Sequence, residues 1–158
     1  MNEVFNVRRS ADSDDVLKCL NGQFVKTKTI TADATDIEDV ESGGVIFMAA
    51  GGDDYVVNLP TKAEGLYFTF VMANASAGST YRINPDDNAS IIGYVSANEG
   101  GNADATTADG LVSVLDGTDG KYIQLTKATG HKGNYITLCC NGADWYVVAG
   151  VGTFAHES

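Results

Sequence analysis

The clearest hydrophobic pattern lies between Tyr55 and Val71, where two β-rich segments flank a turn that contains Pro60 and Gly65. Val, Tyr, Phe and Thr are typical of strands, and Pro and Gly are typical of the turns that join them. In the second segment, large apolar side chains recur at every second position, so they share one face of the strand. These residues are Leu66, Phe68, Phe70 and Met72. We predict that they form the centre of the hydrophobic core.

Similar short β-rich segments follow one another along most of the chain and are separated by turns rich in Gly, Asn and Asp. They are Phe24–Ile30, Val45–Ala49, Tyr55–Leu59, Leu66–Ala73, Thr80–Ile83, Ser90–Val95, Leu111–Leu115, Lys121–Leu125, Asn134–Cys140 and Trp145–Ala149. About ten strands at this spacing are typical of a sandwich or barrel. We therefore predict an all-β protein folded as an antiparallel β-sandwich. The second and third segments should form a hairpin or a corner, and no exact internal repeat is present.

The last two segments can be aligned with each other across the turn at Asn141–Asp144. The predicted register opposes Cys140 with Trp145, Leu138 with Val147 and Ile136 with Ala149. One face of this pair is then wholly apolar, whereas the other is half polar. The half-polar face carries Tyr135, Thr137, Cys139, Tyr146 and Val148. We expect such a face where a sheet meets solvent or a neighbouring subunit.

The amino-terminal segment differs from the rest of the chain. Residues 1–22 combine a few apolar residues with arginines and a group of aspartates, and we predict an extended N-terminal arm there. Residues 23–158 then form one sandwich domain, a size that suits a single core. Within the arm, Val4, Phe5, Arg8 and Arg9 are candidates for contact with a partner protein or a neighbouring subunit, although the arm could equally be flexible and solvated. Ser96–Gly110 has almost no large side chains, and we predict a long exposed loop.

The charge balance narrows the choice of partners. The 158 residues include 10 basic and 21 acidic residues, which gives a formal net charge of −11. This charge disfavours broad contact with nucleic acid or an anionic membrane surface. No apolar run approaches the ~20 residues of a membrane helix, and no secretory signal is evident, so we expect a soluble protein. Three cysteines cannot form a closed disulfide framework and favour a reducing compartment.

The residues that usually carry chemistry form no recognisable motif. His131 lies in a Gly-rich loop without a nucleophile motif nearby, and the cysteines and histidines lack zinc-ligand spacing. The paired acids Asp14-Asp15, Asp53-Asp54 and Asp86-Asp87 are interpreted as solvated turn residues, with calcium binding as the alternative. A glycosidase-type carboxylate pair could be assembled only by the fold. We predict a protein without enzymatic activity, cofactor or metal.

Several strand and turn motifs resemble those of small capsid decoration (cement) proteins of tailed bacteriophages. The ending Asn141–Val148 is similar to the closing strand Asp-Gly-Thr-Asn-Trp-Tyr-Val of that family. The other stretches that carry the resemblance are Glu41–Phe47, Tyr55–Pro60, Gly65–Val71, Tyr81–Ile83 and Ile91–Gly93. The resemblance covers roughly residues 40–150 and leaves the arm uncovered.

This resemblance implies a jelly-roll-like β-sandwich that sits as a homotrimer on the outside of a phage head. Its partners would be the major capsid protein and other copies of itself, and it would brace the shell against internal DNA pressure. The protein would be made in the host bacterial cytoplasm and would reside on the outer surface of the virion. The alternative is a phage fibre or receptor-binding module that recognises host glycan or protein. A polysaccharide hydrolase is a third hypothesis, which requires a carboxylate pair in a cleft.

Overall fold

The computed structural model describes residues 25–49, 54–74, 80–85, 89–96, 112–116, 122–126, 131–152 and 154–157. The predicted arm at residues 1–22 lies outside the described residues. Its contact candidates Val4, Phe5, Arg8 and Arg9 therefore stay predictions. Residues 97–110 of the predicted exposed loop also lie outside the described part of the chain.

The described residues form twelve strands and one short 3₁₀ helix at Asp39–Glu41. The strands are β1 (Thr27–Ile30), β2 (Thr35–Asp36), β3 (Val45–Met48), β4 (Tyr55–Asn58), β5 (Tyr67–Met72), β6 (Thr80–Asn84), β7 (Ile91–Ser96), β8 (Val112–Asp116), β9 (Tyr122–Thr126), β10 (Tyr135–Cys140), β11 (Trp145–Val151) and β12 (Phe154–Glu157). They form a seven-stranded sheet in the order β1-β3-β5-β10-β11-β7-β8 and a five-stranded sheet in the order β12-β9-β6-β4-β2. This arrangement confirms the predicted all-β, sandwich-like fold.

The pairing within the sheets corrects the prediction of a purely antiparallel sandwich. Five of the ten strand pairs among the described residues are parallel, namely β1–β3, β3–β5, β2–β4, β4–β6 and β7–β11. The first six strands alternate between the two sheets, so each strand returns to its own sheet in the direction of the previous one. Parallel neighbours require such a crossover. The segment between β3 and β4 is consequently a corner between sheets rather than a hairpin.

Similar side-chain hydrogen bonds join successive strands of the smaller sheet. The carboxylate of Asp33 precedes β2 and accepts a hydrogen bond from the backbone N–H of Val56 at 2.8 Å. Asp54 directly precedes β4 and accepts hydrogen bonds from the backbone N–H and the hydroxyl of Thr80, at 2.9 and 2.8 Å. Asp54, interpreted from the sequence as a solvated turn acid, therefore holds one strand to the next.

A second set of contacts forms a ladder across the smaller sheet. Asp36, Asn58 and Asn84 occupy matching positions on β2, β4 and β6. The amide of Asn58 donates to the carboxylate of Asp36 at 2.8 Å, and the amide of Asn84 donates to the side-chain oxygen of Asn58 at 3.4 Å. Stacked Asn side chains of this kind stabilise parallel strands that are held in register.

The core lies between the two sheets and contains the residues that the alternation predicted. Phe68, Phe70 and Met72 are fully buried and Leu66 is 9% exposed, which confirms the predicted centre. The buried Trp145 packs on Phe68 with ring centroids 5.8 Å apart.

Tyr81 contributes to the same core from the smaller sheet. It is fully buried, and its ring centroid lies 6.2 Å from that of Tyr55. Burial raises the pKa of Tyr81 to about 12, and the neighbouring Tyr55 adds to the shift. Because ionisation would place a charge inside an apolar core, the phenol stays protonated there over a wide pH range.

The predicted register of β10 and β11 is partly right. Cys140 opposes Trp145 and Leu138 opposes Val147, as predicted. The register then shifts, so Ile136 opposes Gly150 and not Ala149. A β-bulge at Val148 supplies the extra residue and causes this difference.

Candidate functional site

Five adjacent strands of the larger sheet contain no charged residue. They are β3, β5, β10, β11 and β7, whose inward side chains belong to the core and whose outward side chains form the opposite surface. We call this surface the uncharged face. Since the chain carries a net charge of −11, a sheet surface without charged side chains is its most distinctive feature as a site of contact.

Residues in matching register form rows that cross the uncharged face. One row runs from Tyr67 on β5 through Cys139 on β10 and Tyr146 on β11 to Ile92 on β7. Both tyrosines are exposed, whereas Cys139 is half-buried between them. Two strand spacings separate the tyrosine backbones, about 10 Å, so the row places the two exposed tyrosines on either side of Cys139.

The next row places two threonines near the centre of the face. Thr69 and Thr137 lie opposite each other, between Val45 on one side and Ala149 on the other. Their hydroxyl groups form a hydrogen bond of 3.0 Å, and Thr137 is almost fully buried. Because the two hydroxyls satisfy each other, this row does not depend on a polar partner.

The bulge in β11 enlarges the apolar part of the face. Strict alternation would send one of Val148 and Ala149 into the core, but both side chains are exposed. Val148 is 54% exposed, and Tyr94 on the neighbouring β7 is 67% exposed. Bulges commonly redirect side chains at functional surfaces. The sequence prediction placed Val148 on this face but missed Ala149.

A glycine beneath the face fixes the spacing of β7 and β11. Gly93 has a φ of +144°, and a Cβ atom added there would lie only 2.7 Å from the Cβ of Val147. Glycine is favoured where φ is positive and where another chain approaches this closely. The side chain of Val147 therefore occupies the space that a side chain at position 93 would need.

Charged residues of the described chain lie outside the five strands, although Lys28 on β1 and Asp116 on β8 are next to them in register. An acidic segment between Asp33 and Glu41 surrounds the 3₁₀ helix. Lys28 on the edge strand β1 forms an ion pair of 2.8 Å with Glu41 and donates a hydrogen bond of 3.1 Å to the carbonyl oxygen of Asp36. The remaining described charges lie in turns, on β8 at the sheet edge or on the smaller sheet.

His131, Asp144 and the two cysteines of β10 are among the described residues that have potentially reactive side chains. The backbone N–H of His131 donates to the side chain of Asn134 in the turn before β10. Asp144 accepts a hydrogen bond from the backbone N–H of Ser90 and so joins the turn before β11 to β7. Cys139 and Cys140 point to opposite faces of their strand, as predicted, and Cys140 is buried.

Within the described ranges, a metal-binding cluster and a membrane-spanning helix are both absent. No group of three or more His, Cys, Asp or Glu side chains there could hold a metal ion. The same part of the chain includes no helix with the length and apolar character needed to cross a membrane. Asp14, Asp15, Asp53, Asp86 and Asp87 lie outside the described residues.

No protein-family model matches the chain, and no curated protein matches it significantly. The uncharged face could have been found from the sequence, because the absence of charge from five β-rich segments is visible there. The sequence could not show that those segments are neighbours, because this depends on which strands share a sheet.

Proposed function

We propose that this protein is a virion structural protein that binds the outside of a phage capsid and stabilises the head. The observation that carries the proposal is the uncharged, tyrosine-bearing face on a strongly acidic β-sandwich-like domain. The centres of protein interfaces are enriched in tyrosine and depleted of charged residues. The strand and turn motifs that resemble decoration proteins add the specific role.

The proposed partners are the major capsid protein and other copies of this chain, assembled as a homotrimer. A trimer attached at several points converts modest single contacts into high overall affinity. In this proposal the arm residues Val4, Phe5, Arg8 and Arg9 contact a capsid subunit or a neighbouring copy. Half of the ten basic residues lie within the first 28 positions, so this end of the chain suits an acidic groove on the partner.

Sedimentation with capsids tests this proposal directly. The purified full-length protein is mixed with expanded phage heads that lack it, and the heads are then pelleted over a range of protein concentrations. We expect saturable co-sedimentation at a fixed ratio to the major capsid protein. Absence of binding to the heads would refute the proposed function.

The arm can be tested in the same assay. Deletion of residues 1–10 should weaken occupancy of the heads while the circular dichroism spectrum and the urea midpoint stay the same. A matched control replaces Arg8 and Arg9 with lysine, which keeps the charge but removes the planar guanidinium groups. Unchanged occupancy after the deletion would remove the arm from the proposed contact.

A second candidate function is a fibre or receptor-binding module. The observation that favours it is the pair of exposed tyrosines, Tyr67 and Tyr146, on either side of Cys139, because aromatic rings offer stacking surfaces to a planar group or a sugar ring. A receptor-binding module should compete with phage adsorption to host cells. A decoration protein should leave adsorption unchanged.

A further inference from the structure

We infer that the uncharged face binds a second copy of this chain. The inference is independent of the proposed homotrimer, because two copies that meet through the same face form a closed pair, and it assigns this pairing to one surface. The occupant is argued from the distribution of charge, the size of the face and the exposure of its side chains.

The distribution of charge favours a second copy of this chain as the partner on this face. Two copies that each carry −11 repel each other, and exposed charges are screened over about 8 Å at physiological ionic strength. The described acids lie on turns, on the β8 edge or on the smaller sheet, so contact through the central strands of the larger sheet keeps most of them away from the interface. A basic partner would instead be attracted to the acidic segment between Asp33 and Glu41. An uncharged surface is complementary to another uncharged surface, which a second copy supplies.

The size of the face sets the expected strength of association. Five strands spaced about 4.8 Å apart, each with about six residues that rise about 3.3 Å, cover about 450 Å² in projection. Two such faces in contact would bury about 900 Å², which is at the small end of specific interfaces. We therefore expect reversible, concentration-dependent association in solution, which attachment of several copies to one shell would strengthen.

Val148 and Tyr94 are the best candidates for anchors of this contact. They lie on the neighbouring strands β11 and β7 and are 54% and 67% exposed, so each has most of its side chain available for burial. Tyrosine is enriched among the residues that dominate binding energy. Charge introduced at either position would have to be desolvated without a partner when two faces meet.

The test compares two valine-to-aspartate variants of the full-length protein by sedimentation equilibrium over a wide concentration range. Val148→Asp places the charge on the face. Val40→Asp is the matched control, since Val40 is 64% exposed but lies on the 3₁₀ helix. We expect Val148→Asp to raise the dissociation constant at least about tenfold, and Val40→Asp to change it less than about twofold.

A second measurement guards against misfolding of the aspartate variant. In a Cys19→Ser background, Cys139 is the half-buried thiol on the face and Cys140 is buried, so labelling by a maleimide reports on Cys139. If two copies cover the face, the labelling rate should fall as the concentration of otherwise unmodified protein rises. A rate independent of concentration would overturn the inference.

The outcomes separate this inference from the proposed function. A protein that is monomeric at all concentrations, or a Val148→Asp variant that associates like the unmodified chain, overturns the inference. If the unmodified protein is monomeric and Val148→Asp abolishes sedimentation with heads, the face belongs to the shell contact instead. Self-association that Val148→Asp weakens, without any binding to heads, supports the inference and rejects the decoration role.

Discussion

Replacement of Gly93 with alanine should destabilise the protein by about 3 kcal/mol, because β7 passes β11 too closely for a side chain at this position. The added Cβ would lie 2.7 Å from the Cβ of Val147 and 3.2 Å from its Cγ2. Packed carbon atoms are normally separated by about 3.5–4.0 Å. The φ of +144° at Gly93 adds backbone strain for any residue that has a Cβ.

The magnitude combines three contributions of different sign. Overpacking of a core position costs about 1–3 kcal/mol. A non-glycine residue held at an unfavourable positive φ costs about 1–3 kcal/mol. Alanine also lowers the conformational entropy of the unfolded chain, which stabilises the folded state by about 0.4–1 kcal/mol. The net loss of about 3 kcal/mol corresponds to a decrease in Tm of about 6–12 °C for a domain of this size.

Equilibrium unfolding in urea measures this loss, with fluorescence of the single, fully buried Trp145 as the signal. Gly65→Ala is the matched control, because Gly65 has a φ of +88° and an added Cβ there meets no atom within 4 Å. The Gly65→Ala variant should lose only the free energy that a non-glycine residue costs at a positive φ. Combining Gly93→Ala with Val147→Gly, which removes the Cβ atom that the added methyl group would meet, should recover about 1–2 kcal/mol through favourable coupling. A loss for Gly93→Ala no greater than for Gly65→Ala, together with additivity in the double variant, would refute the steric argument.

Three further predictions concern the ladder, the buried phenol and the hydroxyl pair. Asn58→Ala should lower the free energy of unfolding by about 1–2 kcal/mol, since both ladder hydrogen bonds are lost, whereas Asp36→Asn keeps an acceptor and should cost much less; equal losses in urea unfolding would contradict this. The pKa of Tyr81 is raised to about 12 from 10.0, so stability that is fully present below pH 10 should decrease by about 2–3 kcal/mol as the pH rises through 12. Unfolding at pH 9 to 12 checks this, and Tyr81→Phe should lack that part of the decrease. Thr137→Val alone should be less stable than the double variant with Thr69→Val, because only the single change leaves a hydroxyl without its partner; the reverse order of urea midpoints would count against the argument.

The alternation of apolar residues predicted the core well because burial alternates locally along a strand. Leu66, Phe68, Phe70 and Met72 all lie in the core. The pairing of Cys140 with Trp145 was also predictable, because a short turn joins the two strands and fixes their register. Both predictions depend only on residues that are close in sequence.

Parallel pairing could not be predicted in the same way. The ladder hydrogen bonds that align the parallel strands join residues at unequal separations in the sequence. Asp36 and Asn58 are 22 residues apart, and Asn58 and Asn84 are 26 residues apart. Unequal loops therefore hide the structural repetition, and no exact sequence repeat results. A strand segment also does not reveal which sheet it joins, so corners and hairpins look alike in the sequence.

The bulge in β11 could not be predicted from the sequence for a different reason. Val147, Val148 and Ala149 are consecutive small apolar residues, and any of them fits either face of a strand. Alternation alone therefore could not show that two successive side chains point outward. The close approach at Gly93 was likewise hidden, since the sequence indicated only that a glycine interrupts a strand.

The bulge connects tight packing inside the sheet with the composition of its outer surface. Without it, strict alternation after Trp145 would turn Ala149 and Val151 inward and Gly150 outward. With it, Gly150 opposes Ile136 on the core side, where an added Cβ would lie 3.1 Å from a methyl group of Val95. A glycine thus occupies this closely packed position, and the larger side chains of Ala149 and Val151 are on the uncharged face. One extra residue therefore relieves crowding in the core and supplies the surface through which we expect two copies to bind.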